Sequence, residues 1–306
     1  MSISIVMPCF NEGKSLLQLL SQLEEVLLEV KQSVEIVVVN DGSTDDTLNQ
    51  LKTFRFSDEK RSLTVLHLKV NIGHQRAIRQ GLLYAQTTEA EHIIVMDADG
   101  EDNPEIIPQI LQMTQYEVVH VIRGKRQEKF GFRLAYFLYR LLYLVITGKR
   151  MNFGNYCMLN QDALTRILGH SYVHFAAFLQ NQPLKRGFIT SDRKKRLDGK
   201  SKMNMEKWVY HGFMSLVENA QNLLMLFFKF FVGLMVVLVF LGGYILYHKL
   251  FTGKAILGWA STLSVGIANL ALLSFGVFVL GLLLMNILKR QTHTPETAMY
   301  EVVGQD

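Results

Sequence analysis

The chain has 306 residues, enough for one sizeable α/β domain and a smaller second part. Hydrophobic residues make up 49% of it, which is high for a soluble enzyme, and most of the excess lies after residue 222. The two cysteines exclude a disulfide framework and fit a reducing compartment. The net charge of +5 favours an anionic partner, which is phosphate, nucleic acid or a lipid headgroup.

Short runs rich in Val and Ile alternate with helical patterns along the first hundred residues. The runs predict strands that are buried on both faces of a parallel sheet, at residues 3–8, 35–40, 63–68 and 92–96. The helical patterns between them lie at residues 14–31, 44–54 and 74–86, and a further helix is predicted to begin near Pro104. This alternation predicts an open, doubly wound α/β sheet that binds ligands at the carboxyl ends of its strands.

An acidic motif follows the fourth predicted strand. Its three carboxylates have one residue between each and are Asp97, Asp99 and Glu101. Carboxylates at a strand end suit a hard divalent cation, Mg²⁺ or Mn²⁺, which would bridge a diphosphate and neutralise a departing nucleotide. The alternative is a solvated acidic turn that caps the next helix. For Asp102 and Asn103, directly before a proline, we prefer that second interpretation.

Other strand ends add polar groups to the same edge of the sheet. Pro8, Asn11 and Glu12 follow the first strand, and Asp41 follows the second. Asp41 is placed to accept a hydrogen bond from a base or a ribose. The helix that begins after Gly73 offers its first backbone N–H groups, together with His74, to an anion.

The C-terminal third predicts two membrane spans. Residues 230–247 carry no charge and, at about 1.5 Å each, reach about 27 Å, close to the thickness of a bilayer's hydrocarbon core. A second apolar stretch covers residues 262–288. We expect a two-span transmembrane hairpin over residues 230–288, and two buried core helices are the alternative. The N-terminus has no signal-peptide pattern, so we expect both termini in the cytoplasm and a multi-pass protein of the inner membrane.

Four motifs resemble those of a known family. VMPCFNE, VNDGSTDDT, NIGHQRAIRQG and DADGEDNPE are similar to the successive motifs of family-2 glycosyltransferases with the GT-A fold. Over nearly the whole chain, the resemblance is to polyprenyl-phosphate glycosyltransferases such as bactoprenol glucosyltransferases and dolichol-phosphate mannose synthases. It implies a Rossmann-like, mostly parallel α/β sheet domain, followed by interfacial helices and two transmembrane helices.

The same resemblance assigns site residues. It implies that the nucleotide of a UDP- or GDP-sugar donor is bound by Pro8, Asn11, Glu12, Asp41 and Asp97. It also implies that Asp97 and Asp99 are catalytic and hold Mg²⁺ or Mn²⁺ together with Glu101, a position that is commonly Gln in relatives.

Two basic segments are expected to bind the phosphate of a lipid acceptor or of the donor. The first supplies Arg123, Arg126 and Arg133. The second resembles the family's R-x-x-R-x-x-G-x-S-K element and supplies Arg193, Arg196, Ser201 and Lys202. Solvated loops that are attracted to anionic headgroups are the alternative. Nucleic acid is not expected as a partner, because it would leave the membrane hairpin and the acidic pocket unexplained.

The predicted organisation is a cytoplasmic catalytic domain at residues 1–205, the membrane hairpin, and a cytoplasmic tail at 289–306. Residues 132–150 and 206–229 read as amphipathic helices on the membrane surface, with ordinary core-packing helices as the alternative. Small residues in the second span indicate packing between protomers of a homo-oligomer.

The chain departs from this family at an acidic motif, D-x-G-D-F-R in relatives. Here the segment is NFGNYC, so Asn152 and Asn155 replace the two acids and Cys157 replaces the arginine. Asparagine cannot serve as a general base, but a phosphate acceptor is already ionised and needs none. The sequence therefore predicts inverting sugar transfer to an undecaprenyl-type polyprenyl phosphate. The alternatives are transfer to another membrane acceptor, such as a lipid hydroxyl, and a silent membrane scaffold that still binds nucleotide.

Overall fold

The structure is a computed structural model that divides into two compact units. It describes residues 2–88, 90–124, 130–150, 152–197, 205–252, 258–291 and 299–303, and for some helical residues the backbone alone. The first unit comprises Met1–Phe137, Arg150–Glu218 and Glu296–Asp306. The second comprises Leu138–Lys149 and Asn219–Pro295.

The first unit is built on a mixed sheet of eight strands among the described residues. They are β1 (Ser2–Cys9), β2 (Ser33–Asp41), β3 (Arg61–Leu68), β4 (His92–Val95), β5 (Val118–Arg123), β6 (Phe153–Asn160), β7 (Arg186–Ser191) and β8 (Glu301–Val303). Their order is β7-β5-β6-β4-β1-β2-β3-β8. Strands β4, β1, β2 and β3 are parallel, as are β5 and β7, whereas β6 is antiparallel to both its neighbours and β8 to β3.

Helices cover both faces of this sheet. The helices in this part of the chain are α1 (Gly13–Leu27), α2 (Thr47–Thr53), α3 (His74–Thr87), α4 (Ile107–Ile110), α5 (Phe130–Thr147, partly in the second unit), α6 (Gln161–Leu168), α7 (Phe175–Asn181) and α8 (Met205–Glu218). One core cluster joins the sheet to α1 and α4, and another joins it to α3, α6 and α7. Because both faces are covered, β1, β2, β3 and β4 contain buried apolar runs, which is why the sequence identifies these four strands. The prediction of a mostly parallel α/β domain is confirmed.

The second unit contains α9 (Ala220–Tyr247), a π-helical turn (His248–Thr252) and α10 (Trp259–Gln291). Phe228 packs against Phe278 with the ring centroids 4.9 Å apart and the rings tilted, and Ser274 Oγ donates to the carbonyl of Phe227 at 2.8 Å. In the described part of the chain, two segments are long and apolar enough to cross a membrane, Ala220–Phe251 and Ser261–Met285, with mean hydropathies of 2.7 and 2.4. Only 6% and 11% of their most apolar windows is buried, which disfavours the alternative of two core helices.

Two boundaries differ from the sequence-based expectation. The helix predicted at 206–229 is interrupted at Asn219, between α8 and α9. The tail predicted at 289–306 contains strand β8, whose pairing with β3 is supported by an ion pair between Lys69 and Glu301 at 2.6 Å. A strand of three residues is too short to carry a recognisable pattern, so its position depends on the exposed edge of β3.

Candidate active site

The acidic motif forms a tight turn directly after β4. The backbone N–H of Asp97 donates to Asp102 Oδ2 at 2.9 Å, and that of Glu101 donates to Asp99 Oδ1 at 3.0 Å. Gly100 occupies the left-handed region at φ +77°, which favours glycine. The turn therefore places its carboxylates at the carboxyl end of β4, where the sequence predicted them. Asn103 caps the following 3-10 turn, as expected, because its side chain accepts from the N–H of Glu105.

The second basic segment lies directly on this turn. The N–H of Lys194 donates to the carbonyl of Glu101 at 3.0 Å, and the N–H of Leu197 donates to the carbonyl of Asp99 at 3.4 Å. The Leu197 side chain fills the space that a Cβ on Gly100 would occupy. Backbone hydrogen bonds and one apolar contact thus fix the segment across the acidic motif, although almost a hundred residues separate the two in sequence.

Two arginines of this segment neutralise the acidic groups. Arg196 Nη2 lies 2.8 Å from Asp99 Oδ2 and 3.4 Å from Glu12 Oε1, so one guanidinium joins the ends of β1 and β4. Arg193 Nη1 lies 2.5 Å from Glu101 Oε2. All five side chains are largely shielded, with at most 20% exposure, so water screens these pairs less than it screens surface ion pairs. The structure therefore gathers predicted nucleotide, metal and phosphate residues at the carboxyl edge of the sheet. This group of side chains is called the acidic edge.

His74, the first residue of α3, brings a further polar contact to this edge. Its Nε2 lies 3.3 Å from Asp97 Oδ1 and 3.0 Å from Nδ2 of Asn155 in β6. Desolvation lowers the pKa of His74, but the hydrogen bond and charge of Asp97, with the charges of Asp99 and Asp102, outweigh it and raise the pKa above its usual value. Sequence spacing does not predict this contact, because its partners come from separate elements.

Asp41 and Asn11 organise the neighbouring loops. Asp41 is 3% exposed, and its two carboxylate oxygens accept from the N–H groups of Ile72 and Gly73 at 2.7 and 3.0 Å. Burial raises the pKa of Asp41, and these hydrogen bonds partly offset it. The N–H groups just before α3 are thereby engaged by Asp41. Asn11, at φ +55°, accepts from the N–H of Thr44 at 2.8 Å and so ties β1 to the loop after β2.

Several predicted residues contribute no described contact to this edge. Pro8 is buried within β1, beside Val39 of β2. The side chains of Arg123 and Arg133 lie outside the described residues, and so do Arg126, Ser201 and Lys202 entirely.

The acidic residues do not form a ready-made metal site. Across the described residues, no three His, Cys, Asp or Glu side chains converge in a way that could hold a metal ion. The predicted set of Asp97, Asp99 and Glu101 is instead divided between His74 and the two arginines. Carboxylate oxygens nevertheless have the chemistry that Mg²⁺ and Mn²⁺ prefer, so these residues fit a divalent cation chemically.

The three residues that depart from the family motif lie in different surroundings. Asn152 is exposed just before β6, and Asn155 contacts His74. Cys157 is fully buried among apolar side chains, and this burial raises the pKa of its thiol. Asn155 thus has a described contact with a residue of the acidic edge.

The mixed sheet and its acidic carboxyl edge define an α/β protein of the GT-A class. The chain belongs to glycosyl transferase family 2, whose profile matches residues 4–182.

Known proteins support this assignment over different lengths. The glycosyltransferase YkcC of Bacillus subtilis (strain 168) is 29% identical over 90% of this chain and 86% of its own length. The undecaprenyl-phosphate 4-deoxy-4-formamido-L-arabinose transferase of Yersinia pestis (strain Pestoides F) is 32% identical over 51% of this chain. That alignment spans only 47% of the Yersinia enzyme.

A solved structure supports the fold. The glucosyl-3-phosphoglycerate synthase of Mycobacterium tuberculosis, crystallised with Mn²⁺, uridine-diphosphate-glucose and phosphoglyceric acid, has a TM-score of 0.53. The comparison covers 72% of this chain and 79% of that chain at 13% identity, so it establishes a shared fold alone.

Proposed function

We propose that this family-2 glycosyltransferase moves a sugar, with inversion, from a nucleoside-diphosphate sugar to an undecaprenyl-type polyprenyl phosphate. The observation that carries the proposal is the bridge of Arg196 between Asp99 and Glu12, which puts acidic and basic groups in one site at the carboxyl edge. A site for two phosphate-bearing substrates needs both kinds of group. The activity named for the Yersinia relative supports the same acceptor.

The residues of the edge then have distinct tasks. Asp41 and Asn11 hold the loops that line the nucleotide, and Glu12 borders it. Arg193 and Arg196 bind phosphate oxygens in exchange for their present carboxylate partners. The acceptor phosphate is ionised near neutral pH, so it attacks the anomeric carbon without a base.

A divalent cation, Mg²⁺ or Mn²⁺, is part of the proposal. Asp97 and Asp99 would hold it, with Glu101 nearby, and it would supply charge stabilisation to the leaving diphosphate. The Mn²⁺ in the Mycobacterium tuberculosis synthase is in keeping with this assignment. The arginines that now contact Asp99 and Glu101 would turn toward phosphate as these carboxylates turn toward the cation.

The membrane is the proposed location of the acceptor. The described part of α5 exposes Phe137 by 61% and Val145 by 58%, and α8 exposes Tyr210 by 61% and Phe213 by 57%. Soluble surfaces rarely show such dense apolar exposure, and helices that lie on a bilayer do. On this proposal α8, which belongs to the first unit, would keep the site near the lipid phosphate, at the inner membrane and on its cytoplasmic side.

We expect α9 and α10 to form a two-span hairpin with both chain ends in the cytoplasm. This expectation is supported by the path of the chain, which leaves the first unit after Glu218 and returns to its sheet as β8. A reporter enzyme fused after Thr252 should therefore be active on the opposite side from one fused after Asp306. Two fusions active on the same side would contradict the hairpin.

The proposed function is tested by sugar transfer from labelled donors. The purified chain, with Mg²⁺ and each of a panel of UDP- and GDP-sugars, should form a labelled lipid only when undecaprenyl phosphate is added. Transfer to a lipid alcohol instead would indicate a hydroxyl acceptor. Nucleotide binding without transfer to either lipid would indicate a silent scaffold.

Asn152→Asp should change the transfer rate by no more than about tenfold, or about 1.4 kcal/mol of barrier. A phosphate acceptor needs no base, and Asn152 is exposed just before β6. The rate of Asn152→Ala, measured in the same assay, is the matched control and should also stay near wild type. A gain of about 10²-fold from Asn152→Asp would instead indicate base catalysis on a hydroxyl.

A further inference from the structure

Strand β8 contacts the elements on both sides of one loop of the first unit. It pairs antiparallel with the second half of β3, where Glu301 lies opposite His67. β3 ends at Leu68 and α3 begins at His74, so residues 69–73 form the loop between them, which we call the β3–α3 loop. The pairing with β3 therefore fixes the chain just before this loop.

Side chains of α3 hold the two residues that lead into β8. The N–H of Met299 donates to Oε1 of Gln80 at 2.8 Å, and the ring of Tyr300 packs edge-on against Tyr84, with the ring centroids 6.1 Å apart. Gln80 and Tyr84 lie one turn apart on the same face of the helix. Gln80 is 3% exposed, so removal of the Met299 N–H would leave a buried acceptor without this donor. The same segment thus also fixes the helix that follows the loop.

Buried contacts anchor β8 more firmly than charge does. Lys69 Nζ and Glu301 Oε1 are 2.6 Å apart, but the two side chains are 74% and 62% exposed. Ion pairs that are this exposed stabilise a fold only weakly. Tyr300 instead packs against the core cluster that includes α3, and Val303 packs against the cluster that includes α1. β8 is therefore held by both faces of the sheet.

The β3–α3 loop supplies the hydrogen-bond donors of Asp41. The carboxylate of Asp41 accepts from the N–H groups of Ile72 and Gly73 at 2.7 and 3.0 Å. The loop also lies tightly on Gly42, where an added Cβ would come within 2.6 Å of the backbone nitrogen of Asn71. A small displacement of the loop would therefore change the hydrogen bonds that hold the buried Asp41 carboxylate.

We propose that β8 positions the β3–α3 loop, and with it Asp41, for binding the nucleotide of the sugar donor. Gln80 and Tyr300 are the positioning residues, because they join α3 to the segment that pairs with β3. The role of Asp41 at the nucleotide rests on the proposed function. Since β8 follows α10 in the chain, the nucleotide site is completed by a segment that comes after the second predicted membrane span.

The first test is hydrogen exchange of residues 69–74 in the full chain without ligand. Gln80→Leu and Tyr300→Ala each remove one anchor and should speed exchange of this segment by about tenfold or more. Tyr300→Phe keeps the ring and should exchange like wild type. So should the matched control Val302→Ala, whose side chain is 55% exposed on the same strand. Unchanged exchange in both anchor variants would overturn the proposal, and so would an equal increase in α6, which would mean a general loss of stability.

The second test is calorimetry with UDP, GDP and farnesyl phosphate. Gln80→Leu and Tyr300→Ala should weaken the nucleotide that wild type binds by about fivefold or more, because its loop is no longer preorganised, and leave farnesyl phosphate within about twofold. Undiminished nucleotide affinity in both variants would overturn this inference alone. If these differences appear but wild type transfers no sugar to undecaprenyl phosphate, the proposed acceptor is rejected and this inference stands. A wild-type chain that binds neither nucleotide would contradict both proposals.

Discussion

Asp99→Asn is expected to lower sugar transfer by about 10²–10³-fold while the chain stays folded. Asparagine preserves Oδ1, which accepts from the N–H of Glu101, but removes the charge that Arg196 neutralises and that a divalent cation would require. The backbone contacts of the turn do not involve the lost charge, so the turn should persist. Initial rates at saturating donor, followed across a Mg²⁺ titration, measure the effect.

The control for Asp99→Asn is Asp162→Asn, an exposed carboxylate in the first turn of α6. It removes the same charge far from the acidic edge in sequence and should leave the rate within about twofold, as surface substitutions usually do. Thermal unfolding of both variants separates a lost fold from a lost function. Undiminished transfer by Asp99→Asn, or by the wild type in EDTA, would contradict the catalytic and metal assignments together.

Four of the eight described strands could be predicted from the sequence because helices cover both of their faces. β1, β2, β3 and β4 are parallel and covered on both faces, so each is a run of buried aliphatic residues. β6 and β7 carry polar and aromatic residues between their apolar ones, and β8 has only three residues. Their pairings join distant parts of the chain, and no local pattern encodes such partners.

The acidic edge was predictable for a related reason. Carboxyl ends of adjacent parallel strands must meet, so Asp41, Asp97 and Asp99 were expected near one another. The partners of these acids were not predictable from spacing. The ion pair between Asp99 and Arg196 spans 97 residues, and the contact between His74 and Asn155 spans 81. The sequence also did not predict the structural role of Asn11, which ties two loops together.

Arg196→Ala is expected to reduce kcat/KM by about 10²-fold, with a raised KM for at least one phosphate-bearing substrate. One guanidinium nitrogen, Nη2 of Arg196, now contacts both Asp99 and Glu12, and the planar guanidinium fork suits the oxygens of a diphosphate. Its loss removes a phosphate ligand and also leaves two shielded carboxylates without their common counter-charge. A lowered midpoint of thermal unfolding should therefore accompany the kinetic loss.

Two neighbouring replacements separate charge from geometry. Lys195→Ala removes the exposed positive charge next in sequence, and its kcat/KM should stay within about threefold of wild type. A general attraction to anionic headgroups would instead make Lys195→Ala as damaging as Arg196→Ala. Arg196→Lys keeps the charge but replaces the planar fork by a point charge that cannot form paired N–H contacts. If the fork is what binds phosphate, Arg196→Lys should recover thermal stability more fully than it recovers KM. Complete recovery of both would mean that charge alone matters, and equal damage from Lys195→Ala would remove Arg196 from the proposed phosphate site.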